Sequence, residues 1–311
     1  MPAAAVTIRA PAKLNLSLAV LERRADGFHE IESLFVPVDL ADTLAITTGG
    51  PPGIRLRVRF AGPLATPRGR VLARDVPADA TNLVVRAAAA LAAEAGLEPA
   101  VDIDLVKRIP SGAGLGGGSS DAAAVITALA EAWGLPWPRD RLAGIGAGLG
   151  SDIPWFFTGV AAVARGRGER IEPVEPFGPM FAVIACPPQG LSTAAVYRAC
   201  TPSRARAGDA TALAAALAAG DLRAARALMH NDLEPPARSL SPEIDRLLAD
   251  LERVGGACPR LTGSGSACFT LCRTRAEARG VGGRLAALAD EGRPRWPAVV
   301  VSEVGAGARR R

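Results

Sequence analysis

The chain has 311 residues, 49% hydrophobic and 22% charged, with a formal net charge of +5 and a pI near 9.3. This balance excludes wholesale disorder and supplies enough apolar surface for a core without disulfide or metal staples; the length predicts about two domains. The 34 glycines and 25 prolines carry no triplet period, which excludes a collagen-like chain.

The longest apolar run, 87–93, falls far short of the ~20 residues a bilayer span needs, so no membrane partner is expected. The start, MPAAAVTIRAPAK, lacks a basic region followed by an apolar core and predicts no signal peptide. Five cysteines at irregular spacings (186, 200, 258, 268 and 272) read as buried free thiols in a reducing, cytoplasmic setting. With only His29 and His230, a His-rich metal site is not expected. Basic residues are dispersed apart from the Arg309–Arg311 tail, and aromatics make up 4%. That pattern argues against nucleic acid and is compatible with an anionic small molecule.

In chain order, strands are predicted at 6–9 and 12–21, then a turn at Arg24-Ala25-Asp26-Gly27, then strands at 28–38, 44–48 and 54–60. The strict alternation of 54–60 predicts a half-buried antiparallel strand. A helix follows at 83–95, with Asn82 as N-cap and Gly96 as stop. A strand at 101–107 leads through a glycine-rich loop into a helix at about 119–133, and a third helix covers 139–148. Beyond a composition shift between 159 and 179, strands are expected at 180–186 and 299–304. Helices are expected near 193–199, 210–218, 222–229, 242–254 and 275–288. Strands and helices without regular βαβ alternation indicate an α+β fold. The segment Asn231–Glu234 before Pro235-Pro236 reads as a helix end without a chemical role.

Two lysines, Lys13 and Lys107, stand against 34 arginines. They are candidates for work that needs a compact ammonium rather than a planar fork. The loop Pro110-Ser111-Gly112-Ala113-Gly114-Leu115-Gly116-Gly117-Gly118-Ser119-Ser120 holds five glycines in seven residues. Such a backbone approaches a ligand closely, and the helix behind it directs unpaired N–H groups and a positive dipole end into the loop, an arrangement that binds phosphate. Ser119 and Ser120 are placed to cap that helix or to reach phosphate or Mg²⁺. No Lys follows the glycines, so this is not a GxxxxGK[ST] loop. It also lies too late, after several hairpin-like strands, for a dinucleotide fold.

The stretch 110–122 resembles the ATP-binding motif of the GHMP kinases, the galactokinase, homoserine, mevalonate and phosphomevalonate kinase superfamily. Pro11-Ala12-Lys13-Leu14-Asn15-Leu16 is similar to that family's N-terminal motif, and 261–268 (LTGSGSAC) to its C-terminal glycine motif. The resemblance implies an N-terminal ribosomal-protein-S5-like α/β domain over 1–165 and a C-terminal ferredoxin-like α+β domain over 166–311, the last strand packing back on the first domain. It further implies an ATP-dependent small-molecule kinase using Mg²⁺, monomeric or weakly dimeric. In such an enzyme Asp152 is the general base and Lys13 its partner. Asn82 and Lys107 lie near the adenine, with Asn82 equally readable as a plain N-cap. Asp121 either helps hold Mg²⁺ or favours the helix dipole.

The segments 24–31 (RADGFHEI), 150–157 (GSDIPWFF) and 191–197 (LSTAAVY) resemble a branch of the family whose acceptor carries a cytidine diphosphate group. That branch implies a substrate site of Asn15, Phe28, His29, Thr193, Tyr197, Gly263, Ser264 and Gly265. Phe28 stands where the branch usually has Tyr. A cytosine between Phe28 and Tyr197, read at its edge by His29, is the expectation; Tyr197 is also readable as helix packing. A mevalonate- or homoserine-type kinase and a non-catalytic ligand sensor on the same fold are the competing readings.

Overall fold

The computed structural model describes residues 4–305 except 291; the Arg309–Arg311 tail lies outside them. The elements in chain order are β1 (Ala5–Arg23), β2 (His29–Thr48), β3 (Gly53–Phe60), α1 (Leu83–Ala95), β4 (Ala100–Lys107), α2 (Gly117–Ala132), α3 (Arg139–Ala147), α4 (Ile153–Phe156), β5 (Ala162–Gly166), β6 (Arg170–Pro173) and β7 (Met180–Cys186). They continue with α5 (Thr193–Ala199), α6 (Asp209–Ala218), α7 (Leu222–Leu228), α8 (Glu234–Leu240), α9 (Pro242–Arg253), β8 (Arg260–Leu261), β9 (Cys268–Cys272), α10 (Arg275–Ala286), β10 (Ala289–Asp290), β11 (Arg293–Pro294) and β12 (Ala298–Val304).

The mixture is α+β, as the element pattern predicts. The hairpin expected around residues 24–27 joins β1 to β2, ending on the Arg23–His29 pair. Both strands are longer than their sequence breaks suggest. Pro11 does not end β1, because the register shifts between Pro11 and Lys13 and the ladder resumes. β2 runs unbroken through 39–43 and pairs with β1, β4, β5 and β12.

One expectation is corrected outright. β3 pairs with β4 in parallel, from Gly53–Ala100 to Phe60–Lys107. The chain between them contains α1, and a crossover helix returns the next strand in the same direction. Alternation along 54–60 reports a half-buried strand and is silent about the direction of its neighbour.

The sheet order β3-β4-β2-β12-β7-β9-β8 carries the chain across one ten-stranded sheet, with β1 and β5 attached at β2 and β6 at β5. Hydrogen bonding runs through β5 and β6 to Pro173, past the expected division at 165. β12 pairs along its whole length with β7, and its last residue, Val304, reaches Val38 of β2.

Alanine-rich α1 and α2 pack closely because their facing residues are small, and with Leu44, Ile103 and Leu105 they close one core. Asn82 caps α1, its Oδ1 accepting from Val84 N at 2.9 Å, and Gly96 ends the helix at φ 63°. Along β4 the buried face carries Val101, Ile103, Leu105 and then Lys107. The strand period thus delivers a lysine into the core beneath the glycine loop.

The cysteine expectation holds in part: Cys186, Cys268 and Cys272 are buried free thiols, Cys200 is half-buried, and Cys258 is exposed. Burial pushes the Cys186 thiol up to about 12 and Cys272 to about 11, which keeps them protonated and inert. Among the described residues no helix is long and apolar enough to cross a membrane.

Candidate active site

The glycine loop links β4 to α2. Gly116 occupies the N-cap position of α2 at φ 69°, and no side chain caps the helix. This corrects the expected serine capping. Ser119 and Ser120 lie inside the first turn, and the buried Ser120 Oγ has no hydrogen-bond partner. The first N–H groups of a 16-residue helix therefore stay open to an anion. A Cβ at Gly116 would stand 2.8 Å from Phe156 Cζ and 3.1 Å from Lys13 Cγ, so only glycine lets the loop approach β1 this closely. The backbone N–H of Lys13 donates to Leu115 O at 3.0 Å and ties the two together.

Lys13 is buried. Its Nζ donates to Asn15 Oδ1 at 2.6 Å, lies 3.6 Å from Asp152 Oδ2, and sits 4.9 Å from the Phe35 ring centroid. Burial lowers the Lys13 pKa, and the charge and hydrogen bonding of Asp152 pull against that. Asp152 immediately precedes α4 but makes no side-chain cap, so its carboxylate is free for chemistry, and its side chain is 35% exposed. The structure thus brings Lys13 and Asp152 together beside the glycine loop, although 139 positions separate them in sequence.

Asn15, expected to contact the acceptor, is buried beside Lys13. It is 2% exposed, its Nδ2 donates to Ser33 Oγ at 2.8 Å, its backbone N–H donates to Thr262 Oγ1 at 3.0 Å, and its Oδ1 takes the Lys13 ammonium. Its work is to hold Lys13.

Lys107, expected near an adenine, has a side chain that is 4% exposed and donates to both Asp42 and Asp121, the latter at 2.6 Å. Asp42 Oδ1 in turn accepts the backbone N–H groups of Arg108 and Ile109. One ammonium therefore joins the segment leading into the loop to the first turn of α2. Burial alone would lower the Lys107 pKa; the attraction of Asp121 and Asp42 outweighs it and raises it. Asp121 is accordingly an ion-pair partner of Lys107 through Oδ2, while its buried Oδ1 has no hydrogen-bond partner. Asn82 has both side-chain heteroatoms bound to backbone, since its Nδ2 donates to Pro77 O at 2.6 Å.

The second glycine turn meets the first. Ala267 N donates to Ala113 O at 3.1 Å, and a Cβ at Gly114 would stand 2.2 Å from Thr262 O. Ser264 Oγ bonds Thr193 Oγ1 at 2.9 Å, which links the Gly263-Ser264-Gly265 turn to the start of α5. Asn231 overturns its reading as a plain helix end. Its Nδ2 donates to Leu261 O at 2.9 Å and Gly263 O at 2.8 Å, while Oδ1 accepts from Leu233 N. Replacing Asn231 by Ala strands two buried carbonyls and is expected to lower stability by about 1–3 kcal/mol; urea unfolding measures it.

On the acceptor side, the His29 and Tyr197 rings lie 5.1 Å apart at 34°. Burial, and then the Asp152 charge, push the Tyr197 phenol well above its ordinary value. Burial and then Arg23 lower the His29 pKa, favouring a neutral ring with one donor and one acceptor nitrogen. Phe28 is 49% exposed at the β1–β2 turn, and its ring faces the Arg167 guanidinium at 4.5 Å. The sequence reading gave no role to Asp42 or Arg167 and read Asn231 only as a helix end; the two acids, Asp39 and Asp42, inside the apolar run 38–46 do not single out Asp42.

An uncapped helix N-terminus, a buried ammonium and an accessible carboxylate lie side by side, the parts that phosphoryl transfer requires. Residues 82–160 match the GHMP kinases N terminal domain and residues 213–290 the GHMP kinases C terminal domain. The chain belongs to the GHMP kinases, enzymes that phosphorylate small-molecule alcohols. It is 37% identical over 285 residues to the 4-diphosphocytidyl-2-C-methyl-D-erythritol kinase of Shouchella clausii (strain KSM-K16), covering 92% of each chain. A crystal structure of 4-(cytidine 5'-diphospho)-2C-methyl-D-erythritol kinase superposes with a TM-score of 0.75 at 35% identity, covering 97% of this chain and 100% of that one. Homoserine kinase from Cytophaga hutchinsonii shares the fold, with a TM-score of 0.72 at 18% identity over 97% of this chain and 95% of its own.

Proposed function

We propose that this chain transfers the γ-phosphoryl group of ATP to the 2-hydroxyl of 4-diphosphocytidyl-2-C-methyl-D-erythritol, in the cytoplasm, as a step of non-mevalonate isoprenoid precursor synthesis. The observation that carries the reading is the Lys13–Asp152 pair at 3.6 Å, held against the loop that presents the α2 N-terminus.

The loop 110–120 takes the triphosphate through backbone N–H groups. Asp152 accepts the hydroxyl proton as the new O–P bond forms and the bond from the γ-phosphorus to the β,γ-bridging oxygen breaks; ADP leaves. Lys13 offsets negative charge on the attacking oxygen. Phosphoryl transfer asks little else of the protein beyond placement and charge neutralisation. Among the described residues no cluster of His, Cys, Asp or Glu suits a metal ion. Mg²⁺ would therefore arrive on the nucleotide, neutralising phosphate charge, and the unpartnered Ser120 Oγ is the side chain that fits it.

His29 and Tyr197 support a cytosine-bearing acceptor, because a neutral imidazole beside an aromatic face reads a base edge. Thr193 and the 263–265 turn would line the remaining wall. ADP release against a panel of alcohols, with and without a cytidine diphosphate group, tests the proposal. Turnover confined to mevalonate or homoserine overturns it, and turnover of none favours a ligand sensor. His29→Ala is expected to raise the acceptor KM about tenfold and to leave the KM for ATP nearly unchanged, as steady-state kinetics with each substrate varied reveals.

A further inference from the structure

We propose that Arg167 is the specificity-determining cation of the acceptor site, recognising the diphosphate that joins the cytosine to the alcohol; this rests on the acceptor reading above. Arg167 lies in the turn between β5 and β6. The β2–β5 ladder ends on the Ile31–Gly166 pair, so one further step along each strand sets Arg167 opposite Glu30, which follows the Phe28–His29 turn. There its guanidinium lies over the Phe28 ring at 4.5 Å. The next residue, Gly168, faces the base: a Cβ there would lie 3.4 Å from Asp152 Oδ1. Arg167 thus bridges the aromatic platform and the reacting end, where a linker carrying two negative charges must run.

Its charge is also free. The flanking arginines are spent on carboxylates, Arg165 on Glu32 and Glu172 and Arg170 on Glu30. Arg24, across the turn, pairs with Asp26 and Glu30. Arg167 makes no ion pair within 4.0 Å among the described residues, although Asp26 feels its charge at longer range. Its backbone N–H is held by Glu169 Oε2, so the turn is fixed while the side-chain donors stay open. A half-buried guanidinium stacked on one face keeps its edge N–H groups for a phosphate, which a planar fork binds in bidentate fashion. The same stack steadies Phe28, which lacks a hydroxyl to anchor it.

Calorimetric titration of the full chain with CDP and with cytidine tests this assignment. The wild type is expected to bind CDP at least about tenfold more tightly than cytidine, Arg167→Met to bring the two affinities together, and Arg167→Lys to restore part of the difference. A CDP preference undiminished in Arg167→Met overturns the proposal, as does an equal loss for CDP and cytidine, which would leave only a stacking role. Unchanged affinity for a non-hydrolysable ATP analogue verifies that each variant is folded. If the wild type turns over no cytidine diphosphate acceptor, the proposed reaction fails, while the CDP-to-cytidine ratio still decides the role of Arg167.

Discussion

Asp152→Asn is expected to lower kcat by roughly 10³, within the 10²–10⁴ range of a positioned general base, and to leave nucleotide affinity nearly intact. The amide keeps the size and polarity of the side chain but takes no proton from the acceptor hydroxyl. Its surroundings predict a clean effect. Asp152 supports no helix cap and is one-third exposed, so the fold loses little. Lys13 keeps its bond to Asn15 and its place over Phe35 when the carboxylate is gone. Single-turnover kinetics beside an ATP-analogue titration separates the two quantities. A variant with near-normal turnover would remove Asp152 from the base role and leave its charge as mere company for Lys13.

Lys107→Met is expected to destabilise the protein by about 3–5 kcal/mol, because deleting one partner of a buried ionic cluster leaves charge uncompensated. Against a total of roughly 5–15 kcal/mol for a typical protein, that loss endangers folding itself. Two carboxylates would then face each other, with Asp42 fully buried and Asp121 nearly so. Asp42 also holds the backbone at 108 and 109, so the loop loses its alignment along with its counter-charge.

Asp121→Asn is the informative companion. Burial first, and then the Asp42 charge, push Asp121 up to about 7 against the pull of Lys107. A carboxyl raised in the folded state favours folding fully below its ordinary value of 3.8, and that contribution is lost as pH rises to about 7. The neutral amide removes the dependence. Asp121→Asn is therefore expected to raise Tm relative to the wild type at pH 8, with the gain shrinking as pH falls toward 4. A gain that is flat across this range, or largest in acid, contradicts the assignment. Because Asn keeps an acceptor for Lys107, loop geometry and turnover are expected to survive, which distinguishes loss of the staple in Lys107→Met from mere removal of a charge.

Local chemistry explains which elements were legible. Helix α1 announces itself through an asparagine cap, an apolar run and a terminal glycine, and it forms over 83–95 as read. The strand at 180–186 and the helix at 193–199 are equally local. The hairpin β5–β6 was missed: short, rich in arginine and glycine, it owes its strand geometry to β2 beside it rather than to its own residue types. α8 was missed because Pro235-Pro236 reads as a break, whereas prolines in a first turn are tolerated where N–H groups lack partners anyway.

The same division runs through the site. Scarcity singled out Lys13 and Lys107 but not their occupations. Identical in type, they part company only when the chain folds: β1 places one beside an accessible carboxylate, and β4 places the other between two buried ones. The glycine loop opening onto a helix, the family and the α+β class could be read from the linear chain, because backbone conformation, helix-end polarity and motif order are properties of neighbouring residues. Parallel pairing of β3 with β4, the hold of Asn231 on the second glycine turn and the meeting of Arg167 with Phe28 could not, since each depends on contacts between residues remote in sequence, whose free energy exists only once the intervening chain has closed.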